Sequence, residues 1–354
     1  MLKPNLKIRI FMLPRDLTLQ LARVTEIAAL EGSAYLGKGD KNIVDQAAVD
    51  GMHRVFNTLD IDGRVVIGEG EMDEAPMLYI GEHVGKQGKN SPKVDIAVDP
   101  IDGTECVAKG INNTIAVVAI GAPDTLLNAP DMYMEKIAVG PMARGTINLN
   151  DSLEDNLNRV SKALNKCLNE LTIVILDRER HSETINEIRN LGCRIKLIGE
   201  GDVAAAIATC LPDKGVDVLI GTGGAPEGVL AAAALKCLGG DFQGRLVTVG
   251  YDGSKVKLNK TEQTRLKDMG ITDINKVLTI DDLVRTDDVF FAATGVTDSD
   301  ILGGVTYLSD DKARTHTMIL RSKTGTIRFI EAYHDLSKKN HYFKHLRVPR
   351  NQDN

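Results

Sequence analysis

Tryptophan is absent from the 354 residues, and aromatic residues together make up only 4%. A core of Ala, Val, Ile and Leu must therefore carry the 43% hydrophobic fraction, a composition suited to a layered α/β protein. A surplus of positive charge is missing too. The 43 Lys and Arg are outnumbered by 49 Asp and Glu and form no basic tract, which argues against nucleic acid as a partner. No apolar run is long enough for a membrane span. The first eleven residues are broken by Lys3, Lys7 and Arg9 and read as a tail, with Met12 an alternative start. The five cysteines, Cys106, Cys167, Cys193, Cys210 and Cys237, include no CxxC pair and no Cys/His set suited to zinc. A disulfide scaffold is thereby excluded, and a reduced cytoplasm is the expected setting.

A chain of this length exceeds one compact core, so two lobes are expected: a tail over 1–15, an N-terminal lobe over 16–168, a C-terminal α/β lobe over 169–335 and a second tail over 336–354. Leu17, Leu21, Val24, Ile27 and Ala28 recur at helical spacing within 16–36, and a second helix is predicted over 43–59. Short β-rich runs follow at 64–67, 94–98 and 115–120, each bounded by Gly, Pro or Asp. A helical link over 151–169 leads to a change of rhythm. Strands at 172–176, 194–198 and 216–220 alternate with helices at 183–191, 203–211 and 227–238, the pattern of a parallel layer flanked by helices. A helix at 262–269 and strands at 288–293, 315–320 and 325–332 complete the expectation.

Three acidic turns stand where predicted strands end or helices begin: Gly68-Glu69-Gly70-Glu71, Asp99-Pro100-Ile101-Asp102-Gly103-Thr104 and Gly223-Gly224-Ala225-Pro226-Glu227-Gly228. Alone, each is an ordinary surface turn. Together they gather carboxylates at strand ends, where α/β proteins collect ligands and where hard cations find oxygen donors. Asp99 and Asp102 can point the same way, Gly103 admits close approach, and Thr104 would open a helix. Asp45 reads equally as a solvated helix carboxylate. Arg178, Glu179, Arg180 and His181 could form a charged turn opening a helix, and Asp202 could cap the helix after it. The glycines at 221–224 lack the Lys and spacing of a P-loop.

The sequence Gly37-Lys38-Gly39-Asp40-Lys41-Asn42 with Asp45, the run from Ile67 through Gly68-Glu69-Gly70-Glu71 to Glu82, and Val98 to Thr104 resemble class II fructose-1,6-bisphosphatases. The likeness continues through Asn128-Ala129-Pro130-Asp131-Met132-Tyr133-Met134-Glu135-Lys136 and Gly223 to Val229. It implies a sugar-phosphatase fold of alternating α and β layers, placed with the inositol monophosphatases in the lithium-sensitive superfamily. It further implies Mn²⁺ or Mg²⁺, two or more ions per site, on Asp45, Glu69, Asp99, Asp102, Glu227 and the Ile101 carbonyl. Asp102, Gly103 and Thr104 would contact the reacting phosphate. Tyr133, Arg178, Glu179, Arg180, Glu200, Gly201, Asp202 and Gly224 would hold the sugar and its distal phosphate.

The implied reaction is hydrolysis of the 1-phosphate of fructose 1,6-bisphosphate, with a cation-activated water oriented by Thr104, whose hydroxyl Asp45 polarises; Asp45, Thr104 and Glu69 are the catalytic set. A cytoplasmic homodimer or homotetramer is implied as well. Asp102 stands where the family frequently has Glu, Glu200 where it frequently has Asp, and Arg178 where Lys is common, so metal preference and sugar selectivity are open, sedoheptulose 1,7-bisphosphate included. An aspartyl-phosphate mechanism is disfavoured because two residues separate Asp99 from Asp102. An inositol monophosphatase-like enzyme and a catalytically silent sugar-phosphate sensor are the remaining alternatives.

Overall fold

The computed structural model describes residues 14, 16–70, 76–248, 257–308 and 311–339; most of the two expected tails, and residues 71–75 of the Gly-Glu-Gly-Glu motif and its continuation, lie outside them. Helices α1 (Leu17–Ser33) and α2 (Lys41–Phe56) come first. Strands β1 (Asp62–Ile67), β2 (His83–Val84) and β3 (Lys93–Asp102) follow, then the short helix α3 (Thr104–Lys109), β4 (Ile115–Gly121), β5 (Tyr133–Val139) and α4 (Leu153–Leu164). The chain next alternates β6 (Thr172–Leu176), α5 (Ser182–Asn190), β7 (Arg194–Ile198), α6 (Asp202–Ala208), β8 (Val218–Gly224) and α7 (Ala225–Leu238). It continues through β9 (Asp241–Val247), α8 (Lys260–Asp268), β10 (Leu278–Thr279), α9 (Ile280–Leu283), β11 (Phe290–Gly295), β12 (Thr306–Tyr307), β13 (Lys312–Arg321) and β14 (Thr326–Asp335).

Two mixed sheets result. The first runs β12-β13-β11-β4-β3-β1-β2, with β14 also paired to β13; the second runs β10-β9-β5-β8-β6-β7. The expected parallel unit is present, since β6 pairs in parallel with both β7 and β8. Sheet membership nevertheless cuts across the division expected at 168/169. Strand β5, from the first half, lies between β8 and β9 in the second sheet, while β11, β13 and β14, from the last third, complete the first. Composition and rhythm along the chain report many of the strands, though not β5 or β9, whereas long-range pairing decides their sheet.

The apolar residues explain the stacking. In β4 every residue is buried: Ile115, Val117 and Ala119 join one cluster, and Ala116, Val118 and Ile120 join another on the opposite face. Such a run, apolar at every position, needs cover on both sides of its sheet. Helices α1 and α2 supply the outer cover. On the inner face lie α6 and α7, which also pack on β5, β8 and β9 of the second sheet. Between Gly228 and Leu235 helix α7 is apolar all round, and Ala231, Ala232, Ala233 and Ala234 are at most 1% exposed, as a helix enclosed by two sheets requires. Its small side chains let both sheets approach, and they account for a core that needs no Trp. Helices α4 and α5 cover the far face of the second sheet. The order is α, β, α, β, α, the layered α/β fold expected. Among the described residues no helix is long and apolar enough to cross a membrane.

Candidate active site

Strand β3 does not stop at Val98 as its apolar run suggests. It continues to Asp102, with Asp99 opposite Val117 and Asp102 opposite Ile115, so β3 advances three residues while β4 advances two. The expected acidic turn is therefore a β-bulge, a place where Pro costs no ladder bond. The bulge brings Asp99, Ile101 and Asp102 to one cavity of about 650 Å³. Asp99 Oδ1 accepts the Ile101 N–H at 3.0 Å and stiffens it. Gly103 follows at φ 104°, where a Cβ would stand 2.7 Å from Thr114 Cγ2, and α3 starts at Thr104. The Thr104 hydroxyl donates to the Ile101 carbonyl at 3.1 Å rather than to Asp45.

Three other elements bring carboxylates to the same cavity. Asp40 caps α2 by accepting from the Asn42 and Ile43 N–H groups, and Asp45 follows one turn in. Glu69 leaves the end of β1 with its N–H donated to the Leu78 carbonyl at 3.0 Å. Glu227 sits in the first turn of α7. Asp45 and Glu69 act on each other, and both carboxyls are raised above their ordinary range, chiefly by burial. Burial raises Asp99 well above that range, and Glu227, Glu69 and Asp45 add to the rise. Asp102 is likewise raised well above, by burial and then by Asp99, Asp202 and Glu227, against the opposing charge of Lys136. Glu227 is raised by burial and held back by Lys136. So many like charges in one place persist only with protons or cations among them.

The opposite wall comes from the second sheet. Tyr133 opens β5, and the Arg180 guanidinium lies 4.8 Å from its ring centre while Nε and Nη2 donate to the Thr222 carbonyl at 3.1 and 2.8 Å. His181 fixes the same segment. Its Nε2 accepts the Thr222 N–H and its Nδ1 donates to the Leu176 carbonyl, both at 2.8 Å, which defines a neutral tautomer. Glu200 Oε2 accepts the Cys106 N–H of α3 at 3.1 Å, tying this wall to the bulge. Arg178, Gly201, Asp202 and Gly224 also line the cavity.

Two sequence expectations change. Glu179 is exposed and is not among the lining residues, because the turn Glu179–His181 sends it to solvent. Asp202 does not cap α6: Gly201 holds the cap position, and the Asp202 carboxylate accepts from Lys136 Nζ at 2.6 Å. Lys136 closes one of the motifs that carry the resemblance, yet no role was expected of it. Its signal is a Lys on the strand face that also carries buried Met134 and Ala138, where alternation calls for an apolar side chain.

The donor set suits a hard divalent cation. All side-chain donors are carboxylate oxygens, a backbone carbonyl stands among them, and Asp102 Oδ2 and Glu227 Oε2 are buried with no hydrogen-bond partner among the described residues. The acids form a ring rather than a finished cage: among the described residues no three His, Cys, Asp or Glu side chains are grouped tightly enough to hold an ion as they stand.

A family model described as bacterial fructose-1,6-bisphosphatase, glpX-encoded, matches residues 15–334. The chain is 50% identical over 329 residues to fructose-1,6-bisphosphatase 1 class 2 of Escherichia coli (strain K12), covering 92% of this chain and 97% of the relative. It is 47% identical over 326 residues to fructose-1,6-bisphosphatase class 2 of Haemophilus influenzae, covering 91% and 97%. Similarity of that extent, running through the bulge and both cavity walls, makes this chain a member of the family of bacterial, glpX-encoded fructose-1,6-bisphosphatases.

Proposed function

We propose that the protein hydrolyses the 1-phosphate of fructose 1,6-bisphosphate, giving fructose 6-phosphate and inorganic phosphate, as the names of its relatives suggest. The observation that carries this reading is a single cavity with an acidic ring on one side and Arg178, Arg180 and Tyr133 on the other. Such a site suits a ligand with two phosphates that must be treated differently. Asp45, Glu69, Asp99, Asp102, Glu227 and the Ile101 carbonyl would hold Mn²⁺ or Mg²⁺, two or more ions. Cations bound there neutralise phosphate oxygens and lower the pKa of water.

The chain's own groups do the rest. Thr104, with Asp102 and Gly103, presents its hydroxyl to the reacting phosphate and orients the attacking water. The Asp45 and Glu69 pair receives the proton that the water gives up. Water adds to phosphorus, the P–O bond to C1 breaks, and the departing oxygen takes up a proton. Arg178 grips the distal phosphate through its planar donor fork, Arg180, held on Thr222, adds its charge beside it, and Glu200 and Asp202 accept from sugar hydroxyls. The resemblance supports a cytoplasmic homodimer or homotetramer and placement in the lithium-sensitive superfamily.

Phosphate release from fructose 1,6-bisphosphate is the test, run with Mg²⁺ or Mn²⁺, after chelation, and with Asp99→Ala. Sedoheptulose 1,7-bisphosphate and inositol monophosphate run alongside. Metal-dependent turnover of the fructose ester, lost in the variant, is expected. Folded, metal-supplied protein that turns over neither bisphosphate would overturn the reading, and activity on the inositol ester alone would assign it to the sister family.

A further inference from the structure

Among the described residues Lys136 is the only buried lysine, with 2% of its surface exposed. An ammonium loses its hydration in an interior and needs an anion there. Asp202 provides one, its Oδ2 2.6 Å from Nζ and the residue itself 7% exposed. The surroundings leave the pair little room. A Cβ on Gly223 would stand 2.5 Å from Asp202 Oδ2 and 3.2 Å from Lys136 Nζ, and one on Gly228 would stand 3.5 Å from Lys136 Cε. Position 223 thus takes glycine because the ion pair passes against its backbone.

A salt bridge that served only to join β5 to α6 gives no advantage over an apolar pair of similar volume. Apolar packing is at hand, because Met134 and Ala138 flank Lys136 on the same strand face and belong to the core between the sheets. The anion of this pair differs from a core residue in one respect: it lines the cavity, on the wall that carries Tyr133 and Arg180.

We propose that Lys136 is a positioning residue for the sugar: by holding Asp202 Oδ2 it fixes that carboxylate at the cavity wall and leaves Oδ1 to accept from a sugar hydroxyl. This rests on the fructose-bisphosphatase reading. A hydroxyl contact of this kind is made equally in ground and transition states, so its loss acts on KM and spares kcat. A competing role is available on the same side chain, since the Lys136 charge also reaches Asp102 and Glu227. Acting there, it would alter kcat.

The experiment compares the full chain with Lys136→Met, Asp202→Asn and the double variant at saturating Mg²⁺ or Mn²⁺, with fructose 6-phosphate binding measured by calorimetry. Expected for Lys136→Met is a KM raised about tenfold, a parallel loss of fructose 6-phosphate affinity, and kcat within about threefold of wild type. The double variant should match Asp202→Asn within about twofold, because removing Lys136 adds nothing once the held carboxylate is gone. Wild-type KM in folded Lys136→Met, a loss confined to kcat, a wild-type KM for Asp202→Asn, or multiplying effects in the double variant would each overturn the proposal. Should Lys136→Met fail to fold with an unpaired buried carboxylate, the double variant, in which both charges are removed, still decides the question by its match or mismatch with Asp202→Asn. A wild-type enzyme inert on the bisphosphate would refute the function reading instead, and the calorimetric comparison would still decide whether Lys136 acts through Asp202.

Discussion

The two walls of the cavity hold their charges in different ways. On the second-sheet wall the protein itself anchors Arg180 on Thr222 and Tyr133, Glu200 on Cys106, and Asp202 on Lys136. On the wall formed by α2, β1, β3 and α7, acids face one another, and Asp102 and Glu227 each keep a buried oxygen with no partner among the described residues. Groups that are satisfied internally are set in place before a ligand arrives, which suits recognition. Groups of one sign that raise one another's pKa cost the folded protein stability, and such a cost is what reactive centres commonly carry. The anchored wall thus reads as the binding side and the strained wall as the reacting side.

The sharpest way to break that contrast is Glu227→Gln. The substitution removes one charge from the ring, and we expect kcat to fall by about 10² to 10³ while chelated protein gains about 1 kcal/mol of stability. Kinetics and thermal melts in chelator, read together, check both signs; a loss of stability would mean that the acids are not in conflict. On the other wall Arg180→Ala should raise KM by about ten- to a hundredfold, the worth of a charge-assisted contact, with kcat much less affected. A fall in kcat alone would show that the distal grip takes part in the chemistry.

The smallest effect concerns His181. Burial lowers its pKa below the ordinary value, and Arg180 and Arg178 push the same way. Between the folded and unfolded pKa the unfolded chain holds more protons, so this stability is present above pH ~6.5 and is lost as pH falls through the folded value. Protonation would also set an Nε2–H against the Thr222 N–H. His181→Gln should lose about 1 kcal/mol at pH ~7.5 and flatten the acid-side decline, which melts across that range would reveal.

Much of this was legible in the sequence. The helical spacing in 16–36, the β-rich run at 115–120 and the βαβαβα rhythm after 172 all appear where periodicity put them, within a few residues. The lining residues were legible as well, because Asp, Gly and Pro at strand ends are chemically conspicuous. Strands β5 and β9 were not. The first is interrupted by Glu135 and Lys136, and the second by Gln243, Gly244 and Arg245; the polar side chains among them find partners only in the folded protein, as Glu135 does with Arg245 across the sheet at 2.6 Å and Lys136 with Asp202. Glu179 was misjudged because a 3-10 turn sets its direction, and adjacency to Arg178 and Arg180 says nothing of that.

Local chemistry by itself determined most of the element types, the Ala-rich filling of α7 and the oxygen-rich character of the site, since propensity, periodicity and donor type are properties of short segments. Tertiary structure alone decided that β5 belongs with β8 and β9, that Asp99-Pro100-Ile101-Asp102 is a bulge in a strand rather than a turn, and that Lys136 meets Asp202. Each of these depends on pairing between segments distant in the chain, and a pairing is a property of two segments that neither carries alone.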